Sequence, residues 1–234
     1  MIPHGKFFLK RRFSRYNTVV AETLIVNEIF LSIQGEGVRA GLPCTLVRLT
    51  GCNLNCSWCD TAYARDQGKV MSVRQVLLVI EKLGCPLVEL TGGEPLLQPA
   101  VGALLTELCD RGYQTLVETN GSLDISMIDP RVVRIVDVKC PSSGHADANR
   151  WENVDCLTPH DEAKFVIADR NDYEFARATL VGHSLTERCD VVFSPVHQRL
   201  APADLAQWML TDKLNVRLGL QLHRIIWPDK ERGV

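Results

Sequence analysis

The chain has 234 residues, 26 lysines and arginines against 28 aspartates and glutamates, a net charge of -2 and a hydrophobic share of 46%. Those values are ordinary for a globular protein, and they give no whole-chain electrostatic case for binding nucleic acid or a membrane surface. No run of about 18 apolar residues is present to span a bilayer, and nine cysteines, an odd number, argue for free thiols in a reducing cytoplasm rather than a disulfide framework.

Residues 1–22 differ from the rest. Lys6, Lys10, Arg11, Arg12 and Arg15 face the single acid Glu22. The apolar core of about 7–15 residues that marks a secretory signal is missing. The segment reads as a poorly ordered basic arm or as the product of an upstream start codon, with a transit peptide as the other reading. A single domain is expected over 23–234.

Leu24 to Phe30 predicts a strand. It runs into Ser32-Ile33-Gln34-Gly35-Glu36-Gly37, where two glycines permit backbone shapes closed to other residues. Such a loop can lay peptide groups against a flat ligand; a plain hairpin turn is the alternative. Cys44 to Leu49 predicts a short apolar strand, which delivers Thr50-Gly51-Cys52-Asn53-Leu54-Asn55-Cys56-Ser57-Trp58-Cys59-Asp60-Thr61. Cys52, Cys56 and Cys59 are soft ligands suited to an iron–sulfur cluster or zinc. A cubane 4Fe–4S cluster has four irons, so three sulfurs leave one iron open to an outside molecule. Trp58 is placed to shield the cluster or stack on a ligand. Zinc would need a distant histidine, and the second cysteine pair usual in structural zinc sites is absent. A redox Cys-x-x-Cys pair leaves Cys52 unexplained.

Ser72-Val73-Arg74-Gln75 has the form of a capping box. Val73, Val76, Leu77, Ile80 and Leu83 follow at helical spacing, and Gly84 ends the helix. Leu87 to Leu90 predicts a strand ending in Thr91-Gly92-Gly93-Glu94-Pro95. Pro99 opens a helix with Val101, Leu104, Leu105 and Leu108 on one face and Gly112 as its stop. Thr115 to Glu118 and Val132 to Val138 predict strands, ending in Thr119-Asn120-Gly121 and Lys139-Cys140-Pro141-Ser142-Ser143-Gly144. Pro141 to Asp161 shows no helical period and is expected to replace one crossover helix. Lys164 to Ile167 is a strand, followed by a helix through Tyr173, Ala176 and Leu180. Asp190 to Phe193 is a strand ending in Ser194-Pro195-Val196-His197, followed by a helix through Leu205, Trp208 and Met209. Leu220 to Trp227 is a last apolar segment.

This alternation predicts an α/β fold with a parallel sheet. The 182 residues after Cys52 are too few for an eight-unit barrel of about 250 residues. The expectation is a partial, shortened (β/α)6-type barrel. Active sites in such sheets lie at the carboxyl ends of the strands, and five of the loops above lie there.

Gly92-Gly93-Glu94-Pro95, one strand and one helix after the cysteine loop, resembles the motif of radical S-adenosylmethionine (SAM) enzymes that holds the amino group of SAM. In that superfamily SAM chelates the open iron and is split to a 5′-deoxyadenosyl radical. Ser32 to Gly37, Arg48 to Leu54, Trp58-Cys59-Asp60-Thr61 and Leu90 to Pro95 together resemble the 7-carboxy-7-deazaguanine synthase family. The resemblance implies a lyase that converts 6-carboxy-5,6,7,8-tetrahydropterin to 7-carboxy-7-deazaguanine with loss of ammonia, in queuosine and 7-deazapurine biosynthesis. It implies a 4Fe–4S cluster on Cys52, Cys56 and Cys59, SAM, and Mg²⁺ on Thr61. It further implies a homodimer served by a flavodoxin- or ferredoxin-like electron donor.

Position by position, the resemblance assigns Trp58, Cys59, Asp60, Gly93 and the Cys140-Pro141-Ser142 turn to SAM, with Ser194, Pro195, Val196 and His197 on its adenosine side. It assigns Ile33, Gln34, Gly35, Arg48, Thr91 and Val234 to the pterin. A guanidinium at 48 suits a carboxylate; an ordinary salt bridge is the other reading. The alternatives at the level of function are a glycyl-radical activating enzyme and a non-catalytic zinc or iron–sulfur module. Cys44, Cys85, Cys109, Cys156 and Cys189 read as buried thiols, and His4, His145, His160, His183 and His223 carry no assigned role.

Overall fold

The computed structural model describes residues 23–234. The arm expected over 1–22 lies outside the described residues. In chain order the elements are β1 (Thr23–Ile33), β2 (Pro43–Leu49), β3 (Lys69–Ser72), α1 (Val73–Leu83), β4 (Leu87–Gly92), α2 (Val101–Asp110), β5 (Gln114–Thr119) and β6 (Val133–Val138). There follow β7 (Glu162–Ile167), α3 (Arg170–Gly182), α4 (Leu185–Arg188), β8 (Asp190–Pro195), α5 (Pro202–Thr211), β9 (Arg217–Leu218) and α6 (Leu222–Ile226). Among the described residues no helix is long and apolar enough to cross a membrane.

One sheet runs β3-β1-β2-β4-β5-β6-β7-β8-β9. β1 is antiparallel to β2 and β3, whereas β2 through β9 are parallel. The six strands expected after residue 43 are β2, β4, β5, β6, β7 and β8, a partial barrel with an antiparallel flap at one edge. β3 and β9 were not expected; a segment of four or two residues is too short to show a period of two. The helix after Pro99 begins at Val101, with Ala100 as its N-cap.

Two crossovers lack an α-helix, not one: β5 to β6 as well as β6 to β7. The first is held by Asn153, whose side chain accepts from Ile125 N–H and donates to the carbonyls of Gly121 and Leu123. One buried amide thus meets backbone groups that a helix would have satisfied internally.

The sheet divides two environments. Its outer face packs on α1, α2, α3 and α5 through a large apolar core including Val76, Ile80, Leu104, Leu108, Tyr173 and Leu205. Its concave face is apolar only near the amino ends of the strands, where Cys44, Leu46, Leu87, Leu116, Val133 and Ile135 cluster. Above that plug the concave face turns polar. The loop between β1 and β2 closes the open side, because buried Glu162 on β7 accepts from Val38 N–H at 2.9 Å and Arg39 Nη1 at 3.1 Å. The C-terminal segment packs beside it: Leu222 N–H donates to Gly35 O at 3.0 Å. A Cβ on Gly35 would stand 2.6 Å from His223 Nδ1, so the close approach needs glycine.

Candidate active site

The cysteine loop leaves the carboxyl end of β2 and is fixed from both sides. On one side Gly93 N–H donates to Leu49 O and Glu94 N–H to Gly51 O at 2.7 Å. A Cβ on Gly93 would collide with the Gly51 carbonyl. On the other side Ser57 N–H donates to Ser143 O, Ser57 Oγ to Ser142 O, and the Trp58 indole to Ser142 Oγ at 3.2 Å. Asn55 N–H donates to His145 Nε2 at 3.0 Å. The three cysteines are free, half-buried and on the wall of one cavity of about 500 Å³.

The donor set fits a cubane better than zinc. Tetrahedral zinc at about 2.3 Å from each sulfur holds its ligands roughly 3.8 Å apart. Among the described residues only Glu36, Asp60 and His223 bring three such ligand atoms within 4.8 Å of one another; the three sulfurs do not. They stand spread, as ligands to separate irons must. Burial pushes the Cys56 thiol up, and Lys139 opposes that shift.

Glu94 of the Gly-Gly-Glu-Pro motif does not reach the cavity. It is fully buried, and its carboxylate accepts from Leu96 N–H at 3.0 Å, Thr119 Oγ1 at 2.9 Å and Asn120 N–H at 2.7 Å. Burial raises its pKa and those donors pull it back down. Its role is to tie the loop after β4 to the loop after β5, leaving the backbone around Gly93 facing the cavity.

Deeper in, the strands aim charged side chains at the barrel axis. Lys164 on β7 sits between Glu118 on β5 and Glu36, 2.9 Å from the latter. Glu89 on β4 accepts from Gln34 Nε2. One lysine serves two carboxylates, so the third has no cation. Burial, with Glu118 adding to it, pushes Glu89 up to about 8, whereas Lys164 holds Glu118 below its ordinary value despite burial. Gln221 donates to Glu36 at 2.9 Å and to Asp60 at 3.2 Å. Nearer the cysteines, Lys139 pairs with Asp137 at 2.7 Å and lies 5.4 Å from the centre of the Trp58 ring.

Arg48 on β2 gives Nε to Glu28 at 2.9 Å, and Tyr63 Oη donates to the same oxygen. Its Nη atoms have no hydrogen-bond partner among the described residues, and the side chain lines the cavity. The salt bridge is real, yet it occupies one edge of the guanidinium only.

Most of the predicted site residues meet in this cavity: Ile33, Gln34, Gly35, Arg48, Trp58, Asp60, Thr61, Thr91, Gly93, Ser194 to His197, and Val234. Ser194 Oγ and Asp137 Oδ1 are buried there with no partner among the described residues. Cys140, Pro141 and Ser142 are not part of the wall; Cys140 is fully buried, and the turn clamps the cysteine loop from behind. Cys44, Cys85 and Cys189 are buried as expected, whereas Cys109 and Cys156 are half-buried. Sequence reasoning missed Glu36, Glu89, Glu118, Lys164, Gln221 and His223. For the strand residues the available signal was a charge inside an otherwise apolar strand, as Glu89 in Leu87 to Leu90, where a parallel strand buried on both faces reads as a continuous apolar run.

The chain is similar to known proteins over most of its length. Residues 46–136 match the model of the radical SAM superfamily. A 7-carboxy-7-deazaguanine synthase from Koribacter versatilis is 46% identical over 224 residues, covering 89% of this chain and 99% of the relative. One from Chlorobaculum tepidum is 44% identical over 214 residues, covering 90% and 97%. The crystal structure of QueE from Escherichia coli superposes with a TM-score of 0.70 at 22% identity, covering 85% of this chain and 94% of that one.

Proposed function

Since the chain belongs to the 7-carboxy-7-deazaguanine synthase family of radical SAM enzymes, we propose how this cavity carries out the family's reaction. The enzyme converts 6-carboxy-5,6,7,8-tetrahydropterin to 7-carboxy-7-deazaguanine. When bound, the 4Fe–4S cluster and SAM supply a 5′-deoxyadenosyl radical. The chain's own residues bind and orient. The observation that carries the reading is a single cavity joining three spread thiols to a polar barrel interior in which Arg48 keeps an open guanidinium edge.

In this reading Cys52, Cys56 and Cys59 hold the cluster. Trp58, Asp60, Gly93 and the segment from Ser194 to His197 line SAM, and Ser194 Oγ supplies an unspent hydroxyl. Cys140-Pro141-Ser142 acts on SAM through the cysteine loop rather than by contact. The pterin lies deeper. Its carboxylate meets the Nη edge of Arg48 in planar, bidentate fashion. Its ring N–H groups face Glu118 and the backbone around Gln34, with Thr91 alongside. Val234 covers it from the C-terminal side and keeps water out.

Mg²⁺ belongs at Thr61. A hydroxyl is a hard, neutral ligand that suits it, with substrate oxygens and water completing the shell. The carboxylates of Asp60 and Glu36 supply negative charge nearby. We further place the enzyme in the cytoplasm as a homodimer reduced by a flavodoxin- or ferredoxin-like protein; exposed Ile25, Leu31 and Val70 on β1 and β3 supply apolar surface for self-association.

The test is anaerobic. Reduced, cluster-loaded protein is incubated with SAM, Mg²⁺ and the carboxypterin, and products are read by mass spectrometry. The expected outcome is 7-carboxy-7-deazaguanine together with 5′-deoxyadenosine. Stoichiometric zinc with no iron after reconstitution, or no turnover of the carboxypterin by iron-loaded protein, would overturn the reading.

A further inference from the structure

The Thr119-Asn120-Gly121 loop at the end of β5 holds a residue with a separate task. Asn120 is only 6% exposed. The orientation of its amide is fixed by chemistry: Ser122 N–H can only donate, and it donates to Asn120 Oδ1 at 3.0 Å, with the Ser122 hydroxyl on the same oxygen at 2.6 Å. Nδ2 must therefore point the other way. There it meets Asn53 Oδ1 at 3.0 Å and Cys52 Sγ at 3.8 Å. Asn53 Nδ2 returns to Ser122 Oγ at 2.9 Å, closing a ring of three side chains. Leu54 N–H also reaches Cys52 Sγ, at 3.4 Å.

We propose that Asn120 tunes the reduction potential of the iron–sulfur cluster by donating an N–H···S hydrogen bond to its ligand Cys52. Hydrogen bonds to the ligand sulfurs are among the determinants of cluster potential. The positive end of the N–H dipole stabilises the reduced cluster, which carries one more negative charge, more than the oxidised one. The contact is part-buried, with Asn120 almost fully covered and Cys52 half-buried, which limits how far water dilutes the effect. The only transfer is one electron, supplied by a low-potential one-electron donor. The residue acts through Cys52 and touches no substrate, so it is a positioning and tuning residue.

The proposal rests on the cluster reading, and the experiment separates the two. Wild type, Asn120→Leu, Asn120→Asp and Asn53→Ala are reconstituted anaerobically without SAM. Iron and sulfide are counted, and midpoint potentials are read by EPR-monitored dithionite titration. Asn120→Leu is expected to lower the reduced-to-oxidised ratio at a fixed potential about tenfold, which is about 59 mV for one electron. Asn120→Asp should move the potential further down, because it keeps the acceptor for Ser122 and replaces the donor by a charge. Asn53→Ala opens the ring but keeps the N–H···S contact, so it should shift the potential far less.

No shift in Asn120→Leu, or an equal shift in Asn53→Ala, overturns the proposal. If Asn120→Leu takes up no cluster, wild type carrying ¹⁵N in its asparagine side chains decides the matter: a nitrogen coupling to the reduced cluster is expected, and its absence overturns the assignment. Wild type that takes up no iron fails the cluster reading itself, and the tuning role with it.

Discussion

The guanidinium of Arg48 gives its Nε edge to Glu28 and keeps its Nη edge for the cavity. Arg48→Lys keeps the charge but loses the planar fork, so pterin binding should weaken. Arg48→Ala should weaken it more. A hydrogen bond to a charged group contributes about 1.5–3 kcal/mol, so the KM for the carboxypterin should rise roughly ten- to hundredfold. SAM affinity, measured by equilibrium dialysis, should hold; an equal fall would make Arg48 structural. Thr61 is separable from it. Its hydroxyl has only a loose contact, 3.9 Å from Cys59 Sγ, and is available for a hard cation. Thr61→Ala should lose most Mg²⁺-stimulated activity while keeping its cluster and its SAM binding, and Thr61→Ser should keep more. A Mg²⁺ response in Thr61→Ala equal to the parent's would return Thr61 to a plain turn residue.

At the scale of elements, the expected capping box is formed: Gln75 N–H donates to Ser72 Oγ at 3.2 Å, and Gln75 Oε1 accepts from Ser72 N–H at 2.8 Å. Ser72→Ala should cost about 1 kcal/mol in urea unfolding. That loss would leave the site intact, because the cap lies on the outer layer. The junction between the ends of β2 and β4 behaves differently. Glycine at 93 lets the two loops touch, so Gly93→Ala must push the cysteine loop away. The variant should keep its far-UV circular dichroism and lose iron on reconstitution. Full iron content in Gly93→Ala would mean the loops can part without disturbing the thiols.

Across the whole molecule, four groups from different elements share one polar interior, and the charge there is unbalanced. Glu89 ordinarily titrates at 4.5 and here near 8. Between those values the folded apo protein binds a proton that the unfolded chain has released. Stability from this group therefore falls as pH rises from about 4.5 to 8 and is flat above. Glu118 has the opposite sign: its pKa is lowered, so its contribution is lost only as pH falls through the acid range. Thermal melts of apo wild type and Glu89→Gln between pH 5 and 8 isolate the first effect. The wild type should lose ground against the variant as pH rises. Parallel curves would mean that Glu89 is ionised throughout that range.

The local patterns were complete in the sequence. Cys52, Cys56 and Cys59 stand on one loop whatever the fold. Val76, Leu77 and Ile80 repeat at the helical period and are buried. Six apolar runs became the six main parallel strands. What the sequence left open was decided by contacts with no local signature. Lys164 on β7 and Glu36 on the loop between β1 and β2 are 128 residues apart, and closure of that loop over the open side of the sheet brings them to 2.9 Å. Glu94 stands in the Gly-Gly-Glu-Pro motif with no role that spacing assigns, and the fold surrounds it with Thr119 and Asn120 and makes it a tie. Cys140-Pro141-Ser142 follows a strand as site loops do, and the fold sets it behind the cavity wall, where Ser142 Oγ accepts from the Trp58 indole. Spacing fixes what a residue's neighbours in the chain allow; only the assembled sheet fixes which charges must share one cavity, because that depends on which strands lie side by side.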